Sequence, residues 1–171
     1  MLQKFKSVDT FIFDMDGVLT DGSLTLLPSG EMVRKMNVKD GYALQLAIKK
    51  GYNVIVVSGG YSKEALDRLN RLGIENVWMK ITDKIAVTND FLQKVNISWD
   101  TVLFMGDDIP DLEVMKKAHM PCCPADAVQE IKEVSTYISH FNGGYGCVRD
   151  VIEKVMKLRG DWNEDTHIPS A

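Results

Sequence analysis

Short apolar runs alternate with amphipathic segments along most of the 171-residue chain. Runs rich in branched and aromatic residues predict strands, and apolar residues spaced three or four positions apart predict helices. The predicted strands are 10–13, 53–57, 77–79, 101–105, 120–122 and 136–138. The predicted helices are 41–50, 62–72, 83–95, 110–118, 127–134 and 147–158. This alternation predicts an α/β fold in which helices cover both faces of a parallel sheet.

One segment interrupts the alternation. Residues 23–37 hold two extended stretches around Pro28-Ser29-Gly30, which favour a turn, so they predict a β-hairpin. The hairpin directly follows the first strand and is expected to lie over the carboxyl end of the sheet, where ligands bind in open α/β folds. One domain is predicted over residues 1–160, and residues 161–171 are expected to form a loose polar tail.

Composition excludes several classes of function. The net charge is −4 and the sequence has no long basic run, which argues against a nucleic acid or an anionic membrane as the partner. Neither a signal-peptide pattern nor an apolar stretch of membrane-spanning length is present in the sequence. Three cysteines do not make a disulfide framework, so we expect a cytoplasmic protein.

The first strand runs into Asp14-Met15-Asp16-Gly17. Side chains alternate along an extended strand, so Asp14 and Asp16 are expected to point the same way. Two like charges this close repel each other unless a cation lies between them or one carboxyl is protonated. The pair therefore indicates a Mg²⁺ site, a nucleophile beside a general acid, or both, with a plain acidic turn as the alternative.

Two further strand ends carry groups suited to an anion. The second strand ends in Ser58-Gly59, followed by Ser62 in a position to cap the next helix. A hydroxyl and glycine amides at a helix start suit a phosphate, although a plain strand-to-helix turn has the same sequence. Lys84 lies in the first turn of a later helix, where the dipole disfavours a cation. This placement indicates a functional role, such as contact with a phosphoryl oxygen.

The fourth strand is followed by Gly106-Asp107-Asp108-Ile109-Pro110-Asp111. Carboxylates grouped at a strand end are the ligands that Mg²⁺ prefers. Helix capping is the alternative, and it accounts more readily for Asp111 than for Asp107.

In this order, the four motifs resemble those of the haloacid dehalogenase superfamily. The resemblance implies a Rossmann-like parallel sheet and phosphatase chemistry. It makes Asp14 the nucleophile, which forms an aspartyl-phosphate, and Asp16 the acid and base that protonates the leaving alcohol and activates water. Ser58, Gly59 and Lys84 would hold the phosphoryl oxygens.

The same resemblance implies a Mg²⁺ cofactor. The metal would be bound by the carboxylates of Asp14 and Asp107 and by the backbone carbonyl of Asp16. Asp108 and Asp111 would lie outside the metal's own ligands as orienting groups.

The gaps between the motifs are too short for a cap domain, and the chain looks like the 3-deoxy-D-manno-octulosonate 8-phosphate phosphatase family. Further matching features are Lys39-Asp40-Gly41-Tyr42 and residues 143–149. That family implies a homotetramer in which neighbouring subunits close each site over a small sugar phosphate. A phosphatase for a nine-carbon sialic-acid-type sugar phosphate is the alternative, and a phospho-receiver signalling domain is a more distant one.

The chain departs from this family directly after the second motif. Members usually carry an arginine there, whereas this chain reads Gly60-Tyr61. Arg34, Lys35 or Lys39, on or beside the hairpin, could supply the missing cation across a subunit interface. Arg149 is a further candidate, with an ion pair at the start of a helix as its alternative role.

Overall fold

The computed structural model describes residues 2–169 and confirms the α/β fold. In chain order, the strands are β1 Thr10–Phe13, β2 Thr25–Leu26, β3 Met32–Val33, β4 Asn53–Val57, β5 Asn76–Trp78, β6 Val102–Met105, β7 Met120–Cys123 and β8 Tyr137–Ile138. Six of them form a parallel sheet in the order β5-β4-β1-β6-β7-β8. The other two, β2 and β3, form the antiparallel hairpin that the sequence predicted.

Seven α-helices surround the sheet in the described part of the chain. They are α1 Leu2–Ser7, α2 Val38–Lys49, α3 Lys63–Arg71, α4 Lys84–Lys94, α5 Leu112–Lys117, α6 Gln129–Val134 and α7 Cys147–Arg159. Side chains of α1, α2, α3 and α7 join one buried apolar cluster, and those of α4, α5 and α6 join a second. None of the helices within residues 2–169 combines the length and apolarity that a membrane crossing requires.

The central strand β1 determines where the site lies. All four of its residues are buried, with Phe11 and Phe13 in the first cluster and Ile12 in the second, as alternation along a strand requires. Phe13 pairs in register with Val56 of β4 and with Met105 of β6. Since the three neighbouring strands end at nearly the same level, the motifs that follow them meet at one edge of the sheet.

Helix boundaries differ from the predicted ones where short-range capping decides them. Helix α2 begins at Val38 rather than at residue 41, because the Asn37 side chain accepts a hydrogen bond from Lys39 N and starts the helix earlier. Pro110 opens a separate 3₁₀ turn, Ile109–Asp111, before α5 begins. Helix α1, which the pattern did not predict, buries a single residue, Phe5.

The segment after α7 packs against the domain, contrary to the expectation of a loose tail. The Trp162 ring lies edge-on to Tyr42, at 6.2 Å between centroids, and Ile168 packs against the first apolar cluster. Gln45 Nε2 donates a hydrogen bond to the carbonyl of Pro169. The two apolar side chains in this otherwise polar stretch explain the difference, and residues 170 and 171 of the expected tail lie outside the described part of the chain.

Candidate active site

A buried lysine joins two of the predicted site carboxylates. Lys84 Nζ donates hydrogen bonds to Asp14 Oδ1 at 2.8 Å and to Asp111 Oδ1 at 2.7 Å. The three side chains are at most 8% exposed. Burial opposes the charge on Lys84, but the two carboxylates outweigh it and hold the pKa of the ammonium group above its ordinary value. Burying an ion is costly unless the ion is paired, so these two contacts hold Lys84 in place. The sequence predicted that this lysine contacts a phosphoryl oxygen.

Three carboxylates converge beside this lysine. Asp14, Asp107 and Asp111 each offer an oxygen within 4.8 Å of the other two. Burial, reinforced by the charges of the neighbouring carboxylates, raises the pKa of both Asp14 and Asp107. Asp107 Oδ1 is buried and has no hydrogen-bond partner among residues 2–169. A divalent cation would relieve both the repulsion and the unpaired oxygen, so these residues fit a hard, oxygen-seeking metal such as Mg²⁺.

Gly17 lets the chain turn against this cluster. Its φ of 91° lies in the left-handed region, and a Cβ at this position would come within 2.0 Å of Asp107 Oδ2. The turn Met15–Leu19 that holds Gly17 is buried apart from Asp16. Any larger residue would therefore displace Asp107 or open the turn.

Asp16 does not share the carboxylate cluster. Strand β1 ends at Phe13, and Asp16 lies in the following turn rather than on an extended strand. Its carboxylate accepts hydrogen bonds from Arg34 Nε, at 2.8 Å to Oδ1, and from Arg34 Nη2, at 3.2 Å to Oδ2. Thr20 Oγ1 donates a third, at 3.2 Å, to Oδ1. Asp16 thus has its own hydrogen-bond partner on the hairpin, apart from the cluster of Asp14, Asp107 and Asp111.

The remaining predicted residues lie around this centre. Ser58 is buried, and its Oγ accepts a hydrogen bond from Gly60 N at 3.1 Å. Gly59 lies in the same turn, close to the backbone of Ile81. Asp108 is exposed and uses its carboxylate locally, accepting a hydrogen bond from Ile109 N at 2.8 Å. Asp108 therefore caps a turn, whereas Asp111 contacts Lys84.

Asp111 also stabilises the loop that carries Asp107. Its Oδ2 accepts a hydrogen bond from Asp107 N at 3.1 Å, while its Oδ1 receives the lysine. The side chain is almost fully buried. Asp111 thereby connects the lysine to the loop that follows β6.

The sequence did not single out Arg68, which lines a pocket beside the hairpin. The pocket has a volume of about 580 Å³, and Arg34 and Tyr61 also line it. Arg68 Nε and Nη2 are buried and find no hydrogen-bond partner within the described residues. On α3, the spacing of Arg68 is that of an ordinary polar helix residue, so only the tertiary structure identifies it.

Comparison with known proteins agrees with this geometry. A family model described as haloacid dehalogenase-like hydrolase matches residues 76–152. The chain is 31% identical over 164 residues to the 3-deoxy-D-manno-octulosonate 8-phosphate (KDO 8-phosphate) phosphatase of Salmonella typhi, and the match spans 96% of this chain and 87% of that protein. The enzyme of the same name from Escherichia coli K12 is 30% identical over the same share of both chains.

Solved structures show the same fold. The crystal structure of the KDO 8-phosphate phosphatase from Yersinia pestis superposes with a TM-score of 0.91 at 28% identity, covering 94% of this chain and 86% of that one. The Moraxella catarrhalis enzyme, in complex with magnesium ion, phosphate ion and KDO, gives 0.90 at 29% identity and covers 94% and 92%. The chain therefore belongs to the KDO 8-phosphate phosphatase family of haloacid dehalogenase-like hydrolases, which are phosphoric monoester hydrolases.

Proposed function

We propose that this protein hydrolyses KDO 8-phosphate to the free sugar acid and phosphate, in a single catalytic domain and with Mg²⁺ as its cofactor. The observation that carries the proposal is the buried Asp14–Lys84–Asp111 arrangement beside Asp107. A carboxylate nucleophile can approach an anionic phosphate only where cations neutralise the charge, and this site combines a paired lysine with a cluster suited to a divalent ion.

In the first step, a carboxylate oxygen of Asp14 attacks phosphorus and the bond to the sugar oxygen breaks. Asp16 donates a proton to that oxygen, so the sugar leaves as a neutral alcohol. Lys84 holds a phosphoryl oxygen while keeping its contact with Asp14. The product of this step is an aspartyl-phosphate on Asp14.

In the second step, water attacks the phosphorus of the aspartyl-phosphate. Asp16, now ionised, accepts a proton from that water, and the bond between phosphorus and the Asp14 oxygen breaks. Inorganic phosphate leaves and both aspartates return to their starting forms. The same carboxyl group thus serves as acid and then as base.

The remaining groups neutralise and orient the phosphate. Mg²⁺, held by the carboxylates of Asp14 and Asp107 and by the carbonyl of Asp16, would supply positive charge to the phosphoryl oxygens. The Ser58 hydroxyl and the Gly59 amide would donate hydrogen bonds to the same oxygens.

The pocket beside the hairpin supports a sugar acid as the leaving group. Arg68 is half-buried, but its Nε and Nη2 are buried and unpaired within residues 2–169, and a carboxylate in this pocket would satisfy them. The carboxylate of KDO has the required charge. A nine-carbon sugar acid has it as well, so the preference for eight carbons rests on the relatives.

Relative kcat/KM on KDO 8-phosphate, a nine-carbon sialic-acid-type sugar phosphate and hexose phosphates tests this assignment. We expect the eight-carbon substrate to be preferred, and Arg68→Met to raise KM for sugar acids more than for hexose phosphates, which lack a carboxylate. A preference for the nine-carbon substrate would support the proposed phosphatase chemistry but contradict KDO 8-phosphate as the substrate.

We also propose a homotetramer assembled through the hairpins. Five hairpin side chains, Leu24, Leu26, Leu27, Met32 and Val33, are between 38% and 72% exposed. Contiguous exposed apolar side chains of this kind are typical of an interface. Deleting residues 24–36 should reduce the mass measured by light scattering, and a deletion variant of native mass would contradict the proposal.

A cytoplasmic location is part of the same proposal. Cys122, Cys123 and Cys147 are free and buried, which suits a reducing compartment.

A further inference from the structure

The hairpin delivers a cation to the proposed acid and base. Arg34 follows β3 directly and contacts both oxygens of Asp16, through Nε at 2.8 Å and Nη2 at 3.2 Å. Its side chain is only 6% exposed, so the pair is shielded from solvent on the arginine side. A two-point arginine–carboxylate contact fixes orientation as well as charge.

Gly60 makes room for this contact. A Cβ at Gly60 would lie 2.9 Å from Asp16 Oδ2 and 3.2 Å from Arg34 Nη2. Arg34 and Asp16 therefore pack against the backbone of Gly60, the residue that directly follows Ser58-Gly59 in the chain. The sequence expected a replacement cation from across a subunit interface, whereas Arg34 reaches this position within its own chain.

The two oxygens of Asp16 are held unequally. Oδ1 accepts hydrogen bonds from Arg34 Nε and from Thr20 Oγ1, whereas Oδ2 accepts a single one among residues 2–169, from Arg34 Nη2 at 3.2 Å. Breaking one weak contact would free Oδ2, while Oδ1 would remain tethered. Oδ2 is therefore the oxygen that can meet a substrate atom while Oδ1 keeps the side chain oriented.

We propose that Arg34 is a positioning residue that holds the Asp16 carboxyl group in the orientation required for proton exchange with the leaving oxygen of the sugar. The inference rests on the role of Asp16 in the proposed function. Arg34 contacts the carboxylate of Asp16 and not the carbonyl oxygen assigned to the metal, and it does not touch the phosphoryl group. Its removal allows the Asp16 side chain to rotate, with Thr20 as the only remaining tether among the contacts described above.

The leaving group provides the test, because protonation by Asp16 matters for a sugar alcohol and matters little for p-nitrophenolate. The variants are Arg34→Met and Arg34→Lys, with Arg71→Met as the matched control. Arg71 is exposed at the C-terminal end of α3 and has no part in the proposed chemistry. Each variant is assayed with Mg²⁺ on KDO 8-phosphate and on p-nitrophenyl phosphate.

For Arg34→Met, we expect kcat on KDO 8-phosphate to fall by about 10- to 100-fold, with KM nearly unchanged and p-nitrophenyl phosphate turnover largely retained. Arg34→Lys should recover part of the loss, because it restores the charge but not the two-point contact. Combining Arg34→Met with Asp16→Asn should add no further loss, since both changes remove the same step. Arg71→Met should behave as the wild type on both substrates.

Equal losses on the two substrates, or a change in KM alone, would overturn the inference, since the first indicates a structural role and the second a direct contact with substrate. If the wild type prefers another sugar phosphate, the comparison is made with that substrate and the inference is still tested. A wild type that releases phosphate from neither class of substrate overturns the proposed function, and the role of Arg34 with it.

Discussion

Asp40 takes no part in the proposed chemistry, and its carboxyl group should control how the free energy of unfolding depends on pH. Asp40, in α2, is 1% exposed, and its Oδ1 accepts a hydrogen bond from Arg149 N at 2.7 Å at the start of α7. Its Oδ2 is buried without a partner in residues 2–169. Burial raises the pKa of Asp40 from 3.8 to about 6, although the Arg149 and Gly146 amides and the charge of Arg149 oppose the rise. The folded protein therefore binds a proton here more tightly than the unfolded chain does.

The magnitude follows from this pKa difference. The rise in the pKa of Asp40 from 3.8 to about 6 corresponds to about 3 kcal/mol. Since the folded pKa is the higher one, this stabilisation is fully present below the unfolded value of 3.8 and is lost as the pH rises through about 6. Between about pH 4.5 and pH 7, the contribution of Asp40 to the free energy of unfolding should fall by about 2 kcal/mol.

Denaturant unfolding of the wild type and Asp40→Asn across this range measures the effect. An asparagine keeps an acceptor for Arg149 N but does not titrate, so the wild-type stability relative to the variant should fall by about 2 kcal/mol from about pH 4.5 to pH 7. EDTA in all samples removes metal binding from the comparison. Asp90→Asn, at an exposed position on α4, is the control and should run parallel to the wild type. Parallel curves for Asp40→Asn would refute the reasoning.

Three substitutions in the active site have distinct expected effects. Asp14→Asn should abolish turnover while circular dichroism and oligomer mass stay as in the wild type, and retained turnover would contradict the role of Asp14 as nucleophile. Gly17→Ala should eliminate the rise in melting temperature that Mg²⁺ produces, because the new Cβ would collide with Asp107; an unchanged rise would show that the turn adapts. Lys84→Met should remove activity and lower the free energy of unfolding by about 3 kcal/mol in urea titrations, since Asp14 and Asp111 lose their buried partner. Wild-type stability in that variant would show that the two carboxylates are neutral in the folded protein.

The fold and the central residues could be predicted because their signals are local. Each motif follows an apolar run that reads as a strand, and strand ends in a parallel sheet meet at one edge. Ser62 was expected to cap a helix, and its Oγ accepts a hydrogen bond from Ala65 N at the start of α3. Such features depend on a few neighbouring residues, so the sequence carries them directly.

The partners of individual side chains could not be predicted in the same way. The contact between Arg34 and Asp16 depends on how the hairpin folds back over the sheet edge. The periodicity of apolar residues in the sequence does not determine the orientation of the hairpin. The alternation rule placed Asp16 beside Asp14, but it fails where β1 ends and the turn begins. The burial of Arg68 Nε and Nη2 likewise depends on tertiary packing. Charges on loops and hairpins find their partners only after the sheet is assembled.

Phosphate release from KDO 8-phosphate, measured with Mg²⁺ and again with excess EDTA, tests the central claim most directly. We expect rapid release with Mg²⁺, loss of release in EDTA, and recovery when Mg²⁺ is restored, because Asp14 and Asp107 need a cation before phosphate can approach. Release that continues unchanged in EDTA would contradict the account, and so would a stable phospho-aspartate that forms without turnover.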